Sequence, residues 1–174
     1  MYIYLNILDR RTVIMREFTC CFTGHREILA QEEPLIAQRT EVYVRRLIEQ
    51  GVKYFGVGGA LGYDTLAARL LFTLRRDEFS HIKIILVYPF AGYTKHWSPE
   101  QKAVYHRLFA CYDKTVCVSQ YATKGAYLQR NRHLVDFSQY CIAYCTKSTG
   151  GTAYTLRYAK SRGLDIKNVA NPLQ

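Results

Sequence analysis

From residue 15 onward, short apolar runs rich in β-branched and aromatic residues alternate with stretches of helical periodicity. The runs cover residues 18–22, 52–57, 82–88, 115–118, 140–144 and 165–169. Such alternation is the signature of repeated βα units, because a strand buried on both faces needs a crossover helix before its parallel neighbour. The expected class is α/β, a three-layer Rossmann-like fold with an open, mostly parallel sheet and helices on both faces.

Local chemistry places the helices. Pro34 suits a first turn, Ile36, Tyr43, Val44, Leu47 and Ile48 share one face, and Gly51 closes that helix. Ala67, Leu70, Leu71 and Leu74 mark the buried stripe of the next. Ser98-Pro99-Glu100-Gln101 combines an N-cap, a first-turn proline and a capping-box glutamine, which predicts a helix to about Ala110. Residues 90–97 before it read as a surface loop. A further helix is expected over about 127–137, and a last one carries Leu156 and Ala159 inward before Gly163. Residues 1–14 alternate Tyr, Ile and Leu and are expected to be an edge strand or an upstream extension ahead of Met15. Residues 15–174 are expected to form one domain.

Composition narrows the class. With 174 residues, 49% of them apolar, one core is the default. No run approaches the roughly 18 apolar residues of a membrane span, and no basic start leads into an apolar run and a cleavage site. The expectation is a cytoplasmic protein without membrane contact. Six cysteines without a C-x-x-C pair read as free thiols buried in strands, with no metal site. The net charge of +10 favours anionic partners. The basic residues are scattered, however, with pairs only at Arg10-Arg11, Arg45-Arg46 and Arg75-Arg76, where solvated faces are expected. Charge therefore permits nucleic acid without requiring it.

In an open parallel sheet, ligands bind beyond the carboxyl ends of the strands, where strand order reverses. Three glycine- and hydroxyl-rich segments lie at such ends: Thr23-Gly24-His25-Arg26, the loop from Gly58 through Gly59, Ala60 and Gly62 to Asp64, and the loop from Ser148 through Gly150 and Gly151 to Thr152. Glycines let backbone N–H groups approach an anion, and a following helix N-terminus adds about half a positive charge. Thr23, Ser148, Thr149 and Thr152 add hydroxyl donors that a plain turn does not need. Together these loops describe a phosphate cradle.

Other residues carry two readings each. Asp64 either caps the helix that follows or accepts a bond from a ribose hydroxyl. Arg130-Asn131-Arg132 is expected at the start of a helix, where two arginines oppose the dipole unless an anion compensates them. His25 and Arg26 either clasp a phosphate, act as acid and base, or form a solvated loop pair. Tyr88, Trp97 and Tyr121 either stack on a base or cover the core. His81, His96, His106 and His133 share no spacing and read as surface or core histidines.

The motifs Phe22-Thr23-Gly24-His25-Arg26, the run from Gly58 to Ala68, Arg130-Asn131-Arg132 and the run from Ser148 to Tyr154 resemble, in this order, those of the SLOG superfamily, in its YspA/YpsA-like branch. The resemblance covers roughly residues 17–166, and the ordered set is far more specific than any one motif. It implies a Rossmann-like sheet that binds nucleotides, nucleotide-derived signals or nucleic acid. The superfamily includes the DNA-processing protein A family, which binds single-stranded DNA, and the Lonely Guy phosphoribohydrolases, which release a base from a nucleoside monophosphate. The hydrolase motif needs a carboxylate two or three residues after its Gly-Thr. Matching that pair to Gly151-Thr152 puts Tyr154 and Thr155 there instead, so binding is favoured over catalysis.

The expectation is thus a sensor or sequestering module for a nucleotide-type ligand, with no certain cofactor. Its expected site residues are Thr23, Gly24, His25, Arg26, Gly58, Gly59, Ala60, Gly62, Asp64, Arg130, Asn131, Ser148, Gly150, Gly151 and Thr152. Phosphoribosyl or N-glycosidic hydrolysis is the enzymatic alternative, single-stranded nucleic acid is a second class of partner, and self-association is left open.

Overall fold

The computed structural model describes residues 15–173; the segment expected as an edge strand or extension, residues 1–14, lies outside them. The elements are β1 (Thr19–Gly24), α1 (Glu33–Glu49), β2 (Tyr54–Val57), α2 (Tyr63–Asp77), β3 (Lys83–Tyr88), α3 (Pro99–Phe109), β4 (Lys114–Cys117), α4 (Lys124–Asp136), β5 (Tyr140–Tyr144), α5 (Gly151–Ser161) and β6 (Asp165–Asn168). The six strands form one sheet in the order β4-β3-β2-β1-β5-β6, with every neighbouring pair parallel. The α/β Rossmann-like class expected from the alternation is the one observed.

Period-two alternation divides the core between the two faces of the sheet. Cys20, Phe22, Phe55, Val57, Ile84, Leu86 and Ile142 face α1 and α2 in one cluster. Cys21, Val87, Cys141 and Ala143 pack with Leu134 and Val135 of α4 and Ala159 of α5 in the other. Helix α1 buries the expected stripe of Ile36, Tyr43, Val44, Leu47 and Ile48, and adds Thr40, whose hydroxyl donates to the Ile36 carbonyl at 2.7 Å. Each aliphatic side chain of this kind contributes roughly 1.5–3 kcal/mol on burial. Helix α3 starts at the expected capping box, with Ser98 and Gln101 bonding reciprocally.

Three boundaries and environments depart from the sequence reading, and one loop gains a tether. Strand β1 runs two residues past Phe22, because Thr23 and Gly24 pair with Ala143 and Tyr144 of β5 at the centre of the sheet. Helix α4 starts at Lys124, about one turn before the expected 127, without a side-chain cap at Thr123. Residues 90–97 are the expected surface loop, and the Tyr93 hydroxyl, donating to the Gly59 carbonyl at 2.9 Å, ties it to the loop after β2. Of the cysteines, Cys20, Cys21, Cys141 and Cys145 are buried, but Cys111 and Cys117 are exposed. Cys117 sits in β4, the edge strand, which lacks a second neighbour to cover it.

Strand order reverses between β1 and β5. The chain leaves β1 for β2 on one side and later enters β5 on the other, so the loops after these two strands diverge and leave a crevice above the sheet.

Candidate functional site

The crevice is a cavity of about 350 Å³. The end of β1 and the residues after it line it with Thr23, Gly24, His25 and Arg26, the loop after β2 with Ala60, the first turn of α2 with Asp64, α4 with Arg130 and Asn131, and the start of α5 with Gly151 and Thr152. Ten of the expected site residues therefore converge on one volume. Phe22, Tyr127 and Leu128 complete its wall. Tyr127 was not anticipated from the sequence; it lies three residues before Arg130, on the same face of α4, and that spacing was the available signal.

Five expected residues do other work. Gly59 and Gly62 face a neighbouring cavity. Ser148 and Gly150 stand outside the lining, with the Ser148 carbonyl accepting from Arg157 at 3.0 Å and Gly150 forming the N-cap of α5. Gly58 lies beneath the Arg130 guanidinium, where a Cβ would be only 1.6 Å from Nη1. Glycine leaves room there for the cation, which occupies the space a side chain would take.

Asp64 and Arg130 are the buried charges of the site, each 6% exposed. Arg130 Nη1 donates to Asp64 Oδ2 at 3.2 Å, and the Ala60 N–H donates to the same oxygen at 3.1 Å. Asp64 does not cap α2 as one reading expected. The N-cap is Gly62, and the carboxylate turns back to hold its own loop and the arginine. Burial pushes the Asp64 carboxyl above its ordinary value, while Arg130 and the Ala60 N–H draw it partly back. Among the described residues, nothing accepts a hydrogen bond from the buried Arg130 Nε. A buried donor of this kind costs about 1–3 kcal/mol unless something accepts from it.

Because α4 begins at Lys124, Arg130 lies in its second turn and not at its start. The expected conflict with the helix dipole therefore does not arise, and the argument for an anion passes to the unpaired Nε. Asn131 fastens α4 to α5, its Nδ2 donating to Thr155 Oγ1 at 2.9 Å while that hydroxyl donates to the Gly151 carbonyl at 2.9 Å. Tyr154 bonds Arg132 instead of facing the crevice with an acid. The α5 N-terminus has no side-chain cap and no acidic residue in its first turn, so its amide dipoles stay uncompensated beside Thr152.

The first two loops are locked together by close backbone approach. The Tyr63 N–H donates to the His25 carbonyl at 3.0 Å, and a Cβ on Gly62, whose φ is +72°, would lie 2.4 Å from the Arg26 carbonyl carbon. His25 Nε2 accepts the Thr146 N–H at 2.8 Å, which joins the ends of β1 and β5. That bond needs a neutral ring, and partial burial together with Lys147 lowers the imidazole pKa below 6.5. Arg26 stacks on Tyr127, its guanidinium carbon 5.6 Å from the ring centroid.

The aromatic candidates lie elsewhere. Tyr88 stacks on Tyr93 with centroids 6.0 Å apart, Trp97 meets Tyr93 and Tyr105 edge to face, and Tyr121 is exposed. Among the described residues, no three His, Cys, Asp or Glu side chains gather as a metal would need, and no helix is long and apolar enough to cross a membrane.

Known proteins share both the sequence and the architecture. The SPbeta prophage-derived protein YoqJ of Bacillus subtilis is 34% identical over 130 residues, covering 67% of this chain and 75% of that protein. A UPF0398 protein of Shouchella clausii is 29% identical over 121 residues, which is 68% of this chain but only 64% of that protein. DNA processing protein A of Streptococcus pneumoniae superposes with a TM-score of 0.59 at 16% identity, over 88% of this chain and 50% of that one. The same protein from Helicobacter pylori, whose structure describes a single-stranded DNA binding mode, gives 0.59 at 16% identity, over 91% and 67%. These two likenesses show a common fold. The family model of the YspA SLOG family matches residues 21–169, and the chain belongs to that family.

Proposed function

We propose that the chain binds a nucleotide or nucleotide-derived ligand, with its phosphate in the crevice between β1 and β5. The observation that carries this reading is Arg130, a cation 6% exposed on the cavity wall whose Nε has no partner among the described residues. A phosphate oxygen supplies the missing acceptor, and the uncapped α5 N-terminus supports the same charge. Thr23 and Thr152 line the same cavity, and their hydroxyls support the reading as further donors. The role is binding, as a sensor or sequestering module.

Thermal denaturation with inorganic phosphate, mononucleotides, dinucleotides and cyclic nucleotides tests this. A ligand at about a hundred times its dissociation constant stabilises the folded state by roughly 2.7 kcal/mol. The response should disappear in Arg130→Met while the unliganded variant remains folded by circular dichroism. No shift with any of these compounds would overturn the reading.

A second reading, single-stranded DNA in the same crevice, is favoured by the net charge of +10 and by the fold shared with DNA processing protein A. Binding of a fluorescent oligothymidine should then weaken steeply with salt, in proportion to the phosphates neutralised. Salt-independent binding, or none, removes it.

A further inference from the structure

A second cavity, of about 370 Å³, lies across the Gly59–Gly62 loop from the first. It lies between α2 and α3, which also touch each other directly. Val104, Tyr105 and Leu108 of α3, Leu66 of α2, Trp97 and Tyr112 line it. No residue of α3 is fully buried, and Tyr105 and Leu108 pack against the core while partly exposed. The wall surface is mostly apolar and aromatic, and its polar groups are the carboxylates of Glu27, Glu33 and Asp64 together with Arg26, Thr65, Arg69 and Gln101. This is the composition of a small-molecule site, in which apolar walls give affinity and sparse polar groups fix orientation.

Arg26 connects the two volumes. It lines both cavities and also a narrow gap of about 30 Å³ whose walls include Ala60 and Arg130 from the first and Leu61 and Trp97 from the second. Among the described residues, no acceptor meets its guanidinium, which rests on the Tyr127 ring. A cation held on an aromatic face and shared by two cavities is suited to a ligand whose charge lies on one side and whose ring lies on the other.

We propose that this second cavity is a subsite for a planar, nucleobase-type ring, seated among Trp97, Tyr105 and Leu66. The inference rests on the phosphate reading of the first cavity for its choice of a heteroaromatic ring over a purely apolar one. Gln101 Oε1 already accepts the Ser98 N–H, so its amide nitrogen is left as a donor for a ring heteroatom. The ring belongs either to the phosphate-bearing ligand itself or to a separate nucleoside.

Trp97 is the only tryptophan of the chain, so its emission reports on this cavity directly. Adenosine and guanosine, which carry no phosphate, should change that emission saturably, and Val104→Phe, which fills the cavity, should weaken their binding at least tenfold. The thermal response of the same variant to inorganic phosphate should be unchanged. ADP acting at lower concentration than adenosine with added phosphate identifies one ligand spanning both cavities, and equal concentrations identify two occupants. If neither nucleoside changes Trp97 emission in protein that responds to phosphate, the ring subsite is wrong and the phosphate site stands. A nucleoside response without a phosphate response is the reverse case.

Discussion

Asp64 and Arg130, sixty-six residues apart in sequence, meet at 3.2 Å with both side chains buried, and a glycine backbone lies directly beneath them. The pair joins the first turn of α2 to the middle of α4. It fixes the guanidinium at the crevice while leaving Nε unspent. Two consequences of the pair, and one each of the His25 and Tyr93 hydrogen bonds, can be measured.

Gly58→Ala should disrupt the pair from below. Its Cβ would stand 1.6 Å from Arg130 Nη1 and 2.7 Å from Asp64 Oδ2, so one of the buried charges must move. Overpacking of this kind costs about 1–3 kcal/mol. The urea midpoint should fall accordingly and the thermal response to phosphate should be lost. A variant with wild-type midpoint and response would show that the guanidinium is free to shift aside.

Arg130→Met leaves a buried carboxylate without its cation, a change that typically costs 3–5 kcal/mol, read as about this loss in chemical denaturation. Adding Asp64→Asn removes the uncompensated charge and should recover part of the stability without restoring phosphate binding. If the double variant is no more stable than the single one, the Asp64 carboxylate is not paying for its burial through Arg130.

His25 makes the junction between β1 and β5 sensitive to pH. Its pKa is lower folded than the ordinary 6.5, so within that window the unfolded chain binds more protons and stability rises with pH. The contribution is complete above 6.5 and is lost as pH falls through the folded value. Thermal melts from pH 7.5 to 5 should show wild type losing stability relative to His25→Gln, whose amide oxygen can still accept the Thr146 N–H. Parallel curves for the two proteins would refute the assignment.

Tyr93→Phe removes the hydroxyl that holds residues 90–97 to the Gly59 carbonyl. Loss of one such bond costs about 0.5–1.5 kcal/mol. Faster amide hydrogen exchange should appear in residues 90–97 and in the loop after β2, with β1 and β5 unchanged. Exchange identical to wild type would mean that the aromatic contacts of Tyr93 alone hold the segment.

Much of the fold was legible because its determinants are local. Strand β5 has the expected limits, α3 starts at the capping box read from Ser98 and Gln101, and α1 buries the stripe set by helical periodicity. The errors fall where neighbours decide. Thr23 and Gly24 resemble loop residues in sequence, yet central pairing with β5 draws them into β1. The start of α4 was misplaced because Thr123 offers no side-chain cap and the residues after it show weak periodicity.

The sequence by itself determined that three glycine-bearing loops follow strands of a parallel sheet, since alternation, turn chemistry and helix starts act over a few residues. Only the tertiary structure decided what meets at those loops. Sheet order placed β1 beside β5, so their loops share a crevice to which Gly151 and Thr152 contribute while Ser148 does not. It assigned Gly58 to make room for Arg130 and turned Asp64 from a helix cap into the partner of that arginine. It also opened a cavity between α2 and α3, because packing distance between helices depends on side chains remote in the chain and has no period to read along it.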